Sequence, residues 1–197
     1  CWFYKPDHYF DSAPWRKQKG AGPIYVNLIH DIDLLRYFCG DVKSVFAYGV
    51  PSKRGYENED VASILLKFEN DITATLSVSD SIVSPWSWEM TSKEYPVYHH
   101  VDASCYLIGG SDGSLSIPDL SLWKHESKPD WWSPMTVNPV SIEKTDPLVS
   151  QIHNFVEVIK GKSSPLVSGL EGLKSLQVIE CIQQSIKTSK SITIQDL

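Results

Sequence analysis

The sequence predicts an α+β fold: an open, largely antiparallel sheet with helices packed on one face, the other face being available for oligomerisation. Three observations carry this expectation. Ile72, Ala74, Leu76 and Val78 alternate with Thr73, Thr75, Ser77 and Ser79, which is the period of a half-buried strand. Turn signals at Glu69-Asn70-Asp71 and Gly109-Gly110-Ser111-Asp112-Gly113 separate short β-rich runs, so neighbouring strands pair antiparallel. Two capped amphipathic helices follow the strands instead of alternating with them, which gathers helices on one side of the sheet. The hydroxyls of Thr73 to Ser79 then form a flat outer field, and a second subunit is its natural cover.

The elements follow in order. Cys1 to Lys5 reads as a strand, ended by Pro6, and an irregular aromatic loop carries His8, Tyr9, Phe10, Pro14, Trp15 and Arg16. Gly20-Ala21-Gly22 turns into a helix that starts at Pro23, where a missing N–H costs nothing, and stops at Gly40. Between them Leu28, Ile32, Leu35 and Cys39 form an apolar stripe. Asp41 to Val50 is a strand and Pro51 to Glu59 a polar loop. Asp60 to Phe68 and Ile72 to Ser79 make a hairpin, and Ser104 to Ile108 with Ser114 to Ile117 another. Leu120 to His125 and Thr136 to Glu143 are further strands, with aromatic loops at Pro85 to Glu89 and Trp131 to Pro134. Asp146-Pro147 caps a helix striped by Leu148, Ile152, Phe155, Val156 and Ile159, which Gly161 ends. Ser168 and Glu171 form a capping box for a second helix bearing Leu173, Leu176, Ile179, Ile182 and Ile186, and Ile192 to Ile194 is a terminal strand.

Composition narrows the function classes. The 197 residues carry a formal charge of −6, and no basic stretch offsets it, which argues against nucleic acid or an anionic membrane as partner. No apolar run approaches transmembrane length. The four cysteines are scattered, with no C-x-x-C, and three sit in apolar contexts that fit buried reduced thiols in a reducing, cytoplasmic compartment. No metal-site spacing is present, and neither a G-x-G-x-x-G after a strand nor a P-loop occurs. Cys1-Trp2-Phe3-Tyr4 opens as a strand already under way, which reads as a piece of a longer protein cut at a domain boundary.

Three ingredients carry chemistry. His30 sits at the start of the glycine-led helix, with an imidazole suited to proton transfer near neutrality. Glycines before a helix start also let a ligand approach the backbone closely. Asp33 lies three residues on, and on the helix alone a structural pair with His30 is the commoner reading. Asn27, one turn back from His30, offers both a donor and an acceptor. Tyr9, Trp15, Trp86, Trp88, Trp131 and Trp132 can stack on sugar rings or plug core edges, and Lys5 can bind a polar group or stand as an edge charge.

The run Gly20 to Ile24, Asn27 to Tyr37 and Gly40 resembles the glycine-rich helix of the substrate-binding domain of the Gfo/Idh/MocA oxidoreductases. Lys5-Pro6, Tyr9-Phe10, Pro14-Trp15-Arg16, Pro85 to Glu89, Gly109 to Pro118, Trp131-Trp132, Asp146 to Leu148 and Pro165 to Gly169 extend the likeness over the whole chain. The resemblance implies that residues 1–197 are one substrate-binding and oligomerisation domain of a two-domain parent, whose Rossmann domain and NAD or NADP site lie outside this chain. It implies a sugar, polyol or related hydroxy compound as substrate, and a homodimer or tetramer through the open sheet. His30 falls on the family's catalytic His, with Asn27, Lys5, Tyr9, Trp15, Arg16 and Trp86 as substrate-binding residues. One departure stands out: many members carry Asp one turn before the His, and here that place is Val26. A non-catalytic, sugar-sensing relative with the same fold is therefore the alternative.

Overall fold

A computed structural model of the chain describes residues 1–143 and 145–194. The chain divides into two compact units, Cys1–Ser84 with Leu166–Leu197, and Pro85–Pro165. Both sheets are open and antiparallel, and with the helices they make the α+β fold expected.

The first unit is built on strands β1 (Val42–Pro51), β2 (Glu59–Phe68), β3 (Thr73–Ser79) and β8 (Ile192–Thr193), in the order β3-β2-β1-β8. The β2–β3 hairpin sets Ile64 opposite Leu76 and Ala62 opposite Val78, so the alternating apolar residues share one face. Asp71 takes the positive φ of 64° that its turn needs. Val45, Ala47, Ile64, Leu66, Phe68 and Val78 form the inner face of the sheet. Helix α2 (Ile29–Cys39) contributes Ile32 to that core and α5 (Gly169–Thr188) contributes Val178, Ile179 and Ile182. The opposite face leaves Tyr48 and Leu65 exposed around a shallow depression floored by Phe46, Ser63, Thr75 and Ser77.

Three expectations for this unit change. Cys1 to Lys5 forms only a parallel bridge, Trp2 to Ser79, because it meets β3 just where that strand ends. The aromatic loop contains a short helix α1 (Asp7–Asp11) and a 3-10 turn, Pro14–Lys17, each started by a proline in a compatible conformation. The helix from Pro23 is not uniform: Ile24–Leu28 is a π turn, and α-helical geometry begins at Ile29. Gly40 ends it with φ 85°, as a left-handed glycine should.

The second unit holds a four-stranded sheet of β4 (Tyr106–Gly109), β5 (Ser114–Ile117), β6 (Ser121–His125) and β7 (Met135–Pro139), in sequence order. The last strand is shorter than the sequence suggests. A short helix α3 (Trp88–Thr91) precedes the sheet and helix α4 (Pro147–Ile159) follows it. Asp146 caps α4 through the amides of Leu148 and Val149, as its sequence position predicts. Its apolar stripe, however, is exposed: Ile152 is 61% and Phe155 63% accessible.

Candidate functional site

The site is assembled in the first unit from three short stretches. The extended Lys5, the turn carrying Trp15 and Arg16, and the π turn carrying Asn27 meet around Tyr9. Lys5 is only 5% exposed, and its Nζ donates to Asn27 Oδ1 at 2.6 Å. A lysine can only donate, so the Asn27 carbonyl must face it, which turns the amide NH2 outward as a donor. The Lys5 ammonium lies 5.1 Å from the Tyr9 ring centre and the Arg16 guanidinium 3.9 Å from it. Arg16 Nη1 also donates to the Tyr9 carbonyl at 2.6 Å and to Ser12 Oγ at 3.0 Å. Trp15 is 53% exposed, with its ring 5.6 Å from the same guanidinium. Lys5, Tyr9, Trp15, Arg16 and Asn27 are thus brought together. Trp86 belongs to the second unit, where it is half exposed.

His30 lies in the first turn of α2 and is exposed. Asp33 does not orient it by the contacts present. Its Oδ1 accepts from Ser175 Oγ at 3.1 Å, which ties α2 to α5. The pairing of His30 with Asp33 is thus replaced by a tie between helices.

The glycine loop serves a different purpose from ligand approach. A Cβ on Gly22 would lie 2.6 Å from Glu59 Oε1, so the close neighbour is this chain's own carboxylate. Glu59 Oε1 accepts from the Ile24 amide at 3.0 Å and thereby caps the π turn. Gln183 reaches its other oxygen at 3.5 Å. Asn58 bridges the same region, donating to the Arg16 carbonyl and accepting from the Ala21 amide. The start of β2 therefore fixes both the turn that holds Arg16 and the turn that holds Asn27. Tyr25 in the π turn donates to Glu180 at 2.9 Å, and burial pushes its hydroxyl up to about 12.

Beneath the cluster runs a second charged pair that sequence reading missed. Arg54 Nη1 contacts Asp80 Oδ1 at 3.1 Å, and its Nη2 donates to the carbonyls of Lys5 and Asp80. The guanidinium also stands 4.8 Å from the Phe10 ring centre. Burial raises the pKa of Asp80, while the Lys5 and Arg54 charges act against that rise. Arg54 and Asp80 are 26 residues apart in a loop and past a strand end, so no local pattern joins them.

The sequence profile of the GFO/IDH/MocA C-terminal domain matches residues 1–116. No curated protein matches the chain. Among solved structures, an oxidoreductase from Agrobacterium radiobacter in complex with NAD+, L-tartaric acid and magnesium is 19% identical, with a TM-score of 0.68 over 98% of this chain and 55% of that one. An NAD-binding protein from Listeria innocua is 21% identical, with a TM-score of 0.68 over 98% of this chain and 52% of its own. The WlbA dehydrogenase from Bordetella pertussis, in complex with NADH and UDP-GlcNAcA, is 19% identical, with a TM-score of 0.63 over 98% of this chain and 52% of that one. These likenesses show the fold, and the chain spans about half the length of each of those proteins. Among the described residues no helix is long and apolar enough to cross a membrane, and no group of side chains is suited to hold a metal ion. With the profile covering more than half of its length, the chain belongs to the GFO/IDH/MocA family and carries that family's C-terminal domain.

Proposed function

We propose that this chain is the substrate-binding and oligomerisation part of an NAD(P)-dependent oxidoreductase acting on a sugar, polyol or related hydroxy compound. The observation that carries the reading is the convergence of Lys5, Asn27, Tyr9 and Arg16, with His30 three residues after Asn27 along the chain. The solved relatives with NAD+ or NADH and a hydroxylated ligand support it. In this reading the Asn27 NH2 and the Lys5 ammonium hold substrate hydroxyls, Tyr9 and Trp15 wall the pocket, and exposed His30 accepts or returns the hydroxyl proton.

The nicotinamide cofactor does not fit the residues of the glycine loop. Its helix start already carries the Glu59 carboxylate, and a pyrophosphate there would face a like charge. The dinucleotide is therefore assigned to the rest of a larger protein, and this chain's part is binding, orientation and proton handling. In a full-length protein carrying this domain, His30→Ala should lower kcat about a hundredfold or more, with a smaller change in KM. Unchanged turnover with a competent substrate would end the assignment of His30.

Assembly is proposed through the outer face of the β1–β3 sheet, where Tyr48 and Leu65 stand exposed. Sedimentation analysis of the wild type and Leu65→Glu tests it: a monomeric wild type at high concentration removes the proposal. A second reading, a ligand-sensing relative without catalysis, is favoured by Val26 at the place where many members carry a carboxylate. Sugar binding without turnover by the full-length protein would select it.

A further inference from the structure

We propose that the ligand of this site is an acid: a hydroxy acid or sugar acid whose carboxylate is read by Arg16. The inference rests on the substrate-binding role proposed above and deepens it. The chain has three arginines, Arg16, Arg36 and Arg54. Arg36 is paired with Asp41 at 2.8 Å and Glu171 at 2.6 Å. Arg54 is paired with Asp80 at 3.1 Å. Arg16 alone has no carboxylate partner among the described residues.

Arg16 is also held under-satisfied. Its Nη1 makes two hydrogen bonds to neutral acceptors, the Tyr9 carbonyl and Ser12 Oγ. Its Nε is shut off from water and has no partner. The backbone is pinned, because the Asn58 amide donates to the Arg16 carbonyl at 3.0 Å. The guanidinium plane is steadied against the Tyr9 ring at 3.9 Å. Both hydrogens of Nη1 are used and Nε is sealed, so the donors left to a ligand are the two on Nη2, on a guanidinium whose charge no carboxylate neutralises. The nearby Lys5 adds a second positive charge over the same ring, so the cluster's field favours an anion over a neutral polyol. The hydroxyls of that anion then fall to Asn27 and Lys5, and the carboxylate supplies the acceptors that Arg16 lacks.

The test is a titration of the 197-residue chain, followed by tryptophan fluorescence and amide NMR shifts. Its ligands are D-glucuronate, L-tartrate, D-glucose and myo-inositol. We expect the two acids to bind roughly tenfold or more tightly than the neutral compounds. Arg16→Gln should erase that preference by weakening acid binding tenfold or more, with the circular dichroism spectrum unchanged, and Arg16→Lys should retain part of it. The lysine variant keeps the charge and loses the planar pair of Nη2 donors. Equal binding of acids and neutral compounds, insensitive to Arg16→Gln, would overturn the acid inference and leave the site's substrate role standing. Binding of none of the four, with the chain folded, would overturn both.

Discussion

The two units use similar sequence material to opposite ends. In the first, strand alternation and helix stripes meet each other, and Leu66, Phe68, Ile24, Leu28 and Ile32 are sealed from water. In the second, Ile117 is the one buried hydrophobic among the described residues, and α4 buries none of its stripe. The amphipathic helix signal is as clear in α4 as in α5, yet only α5 has a sheet beneath it. An apolar stripe therefore states that a helix has a partner, and not where that partner is. The candidate site sits on the better-packed unit, which suits residues that must hold a fixed geometry.

The largest expected effect separates the two units directly. Phe68→Ala should destabilise the fold by roughly 3–5 kcal/mol, since a sealed ring leaves a cavity. Phe155→Ala, from a ring already 63% exposed, should change stability by about 0.5 kcal/mol or less. Urea denaturation of both variants, with Phe68→Leu as a milder control, reads the contrast. A Phe155 cost that approached the Phe68 cost would mean that α4 is packed in solution and that the contrast fails.

A smaller effect comes from charge. Arg36 is 7% exposed, and it ties α2 to α5 through Asp41, the Glu171 carbonyl and carboxylate, and Ser175. Arg36→Met should cost about 1–3 kcal/mol, discounted because both carboxylates stay roughly half exposed. Hydrogen bonds from Lys174 and then Arg36 hold the Asp41 pKa below its ordinary 3.8. A carboxyl with a lowered folded pKa adds stability above its unfolded value, and that stability is lost as pH falls through the folded one. Stability should thus fall as the pH drops below about 4, and Asp41→Asn should flatten that fall. In the second unit, His100 and Lys93 lower the pKa of Asp102, but its side chain is 91% exposed, so Asp102→Asn should leave the curve as it was. An equal response to both substitutions would remove the distinction.

What the sequence made legible, and what it hid, follows the range of each interaction. The 72–79 strand, the Asp146 and Ser168 caps and the Gly40 stop were readable because each signal lies within a few residues. The convergence of Lys5 with Asn27 was not, because 22 residues intervene and only tertiary pairing joins them. Asn58 and Glu59 looked like polar loop residues. Their role appears only when β2 is set beside the glycine loop, where they take the Ala21 and Ile24 amides. The one available signal was the glycine at position 22, which announces a close approach without saying by what. The resemblance placed Arg16 in the site, but its lack of a carboxylate emerged only by comparison with Arg36 and Arg54.

The smallest effect refines the comparison at the helix ends. Asp146 and Ser168 cap α4 and α5 in the same manner, through amides two or three residues on. Removing either cap should cost about 1 kcal/mol of helix stability. The consequence differs, because α5 is anchored by Ile179 and Ile182, whereas α4 has no buried residue to hold it. In Asp146→Ala, amide hydrogen exchange should speed up along the whole of α4, since a helix of 13 residues without packing is marginal alone. In Ser168→Ala the acceleration should be confined to the first turn of α5, with the Ile179 and Ile182 amides unchanged. Fraying limited to the first turn in both variants would show that α4 draws on an anchor of its own, and the exposed stripe from Leu148 to Ile159 is where that anchor would bind.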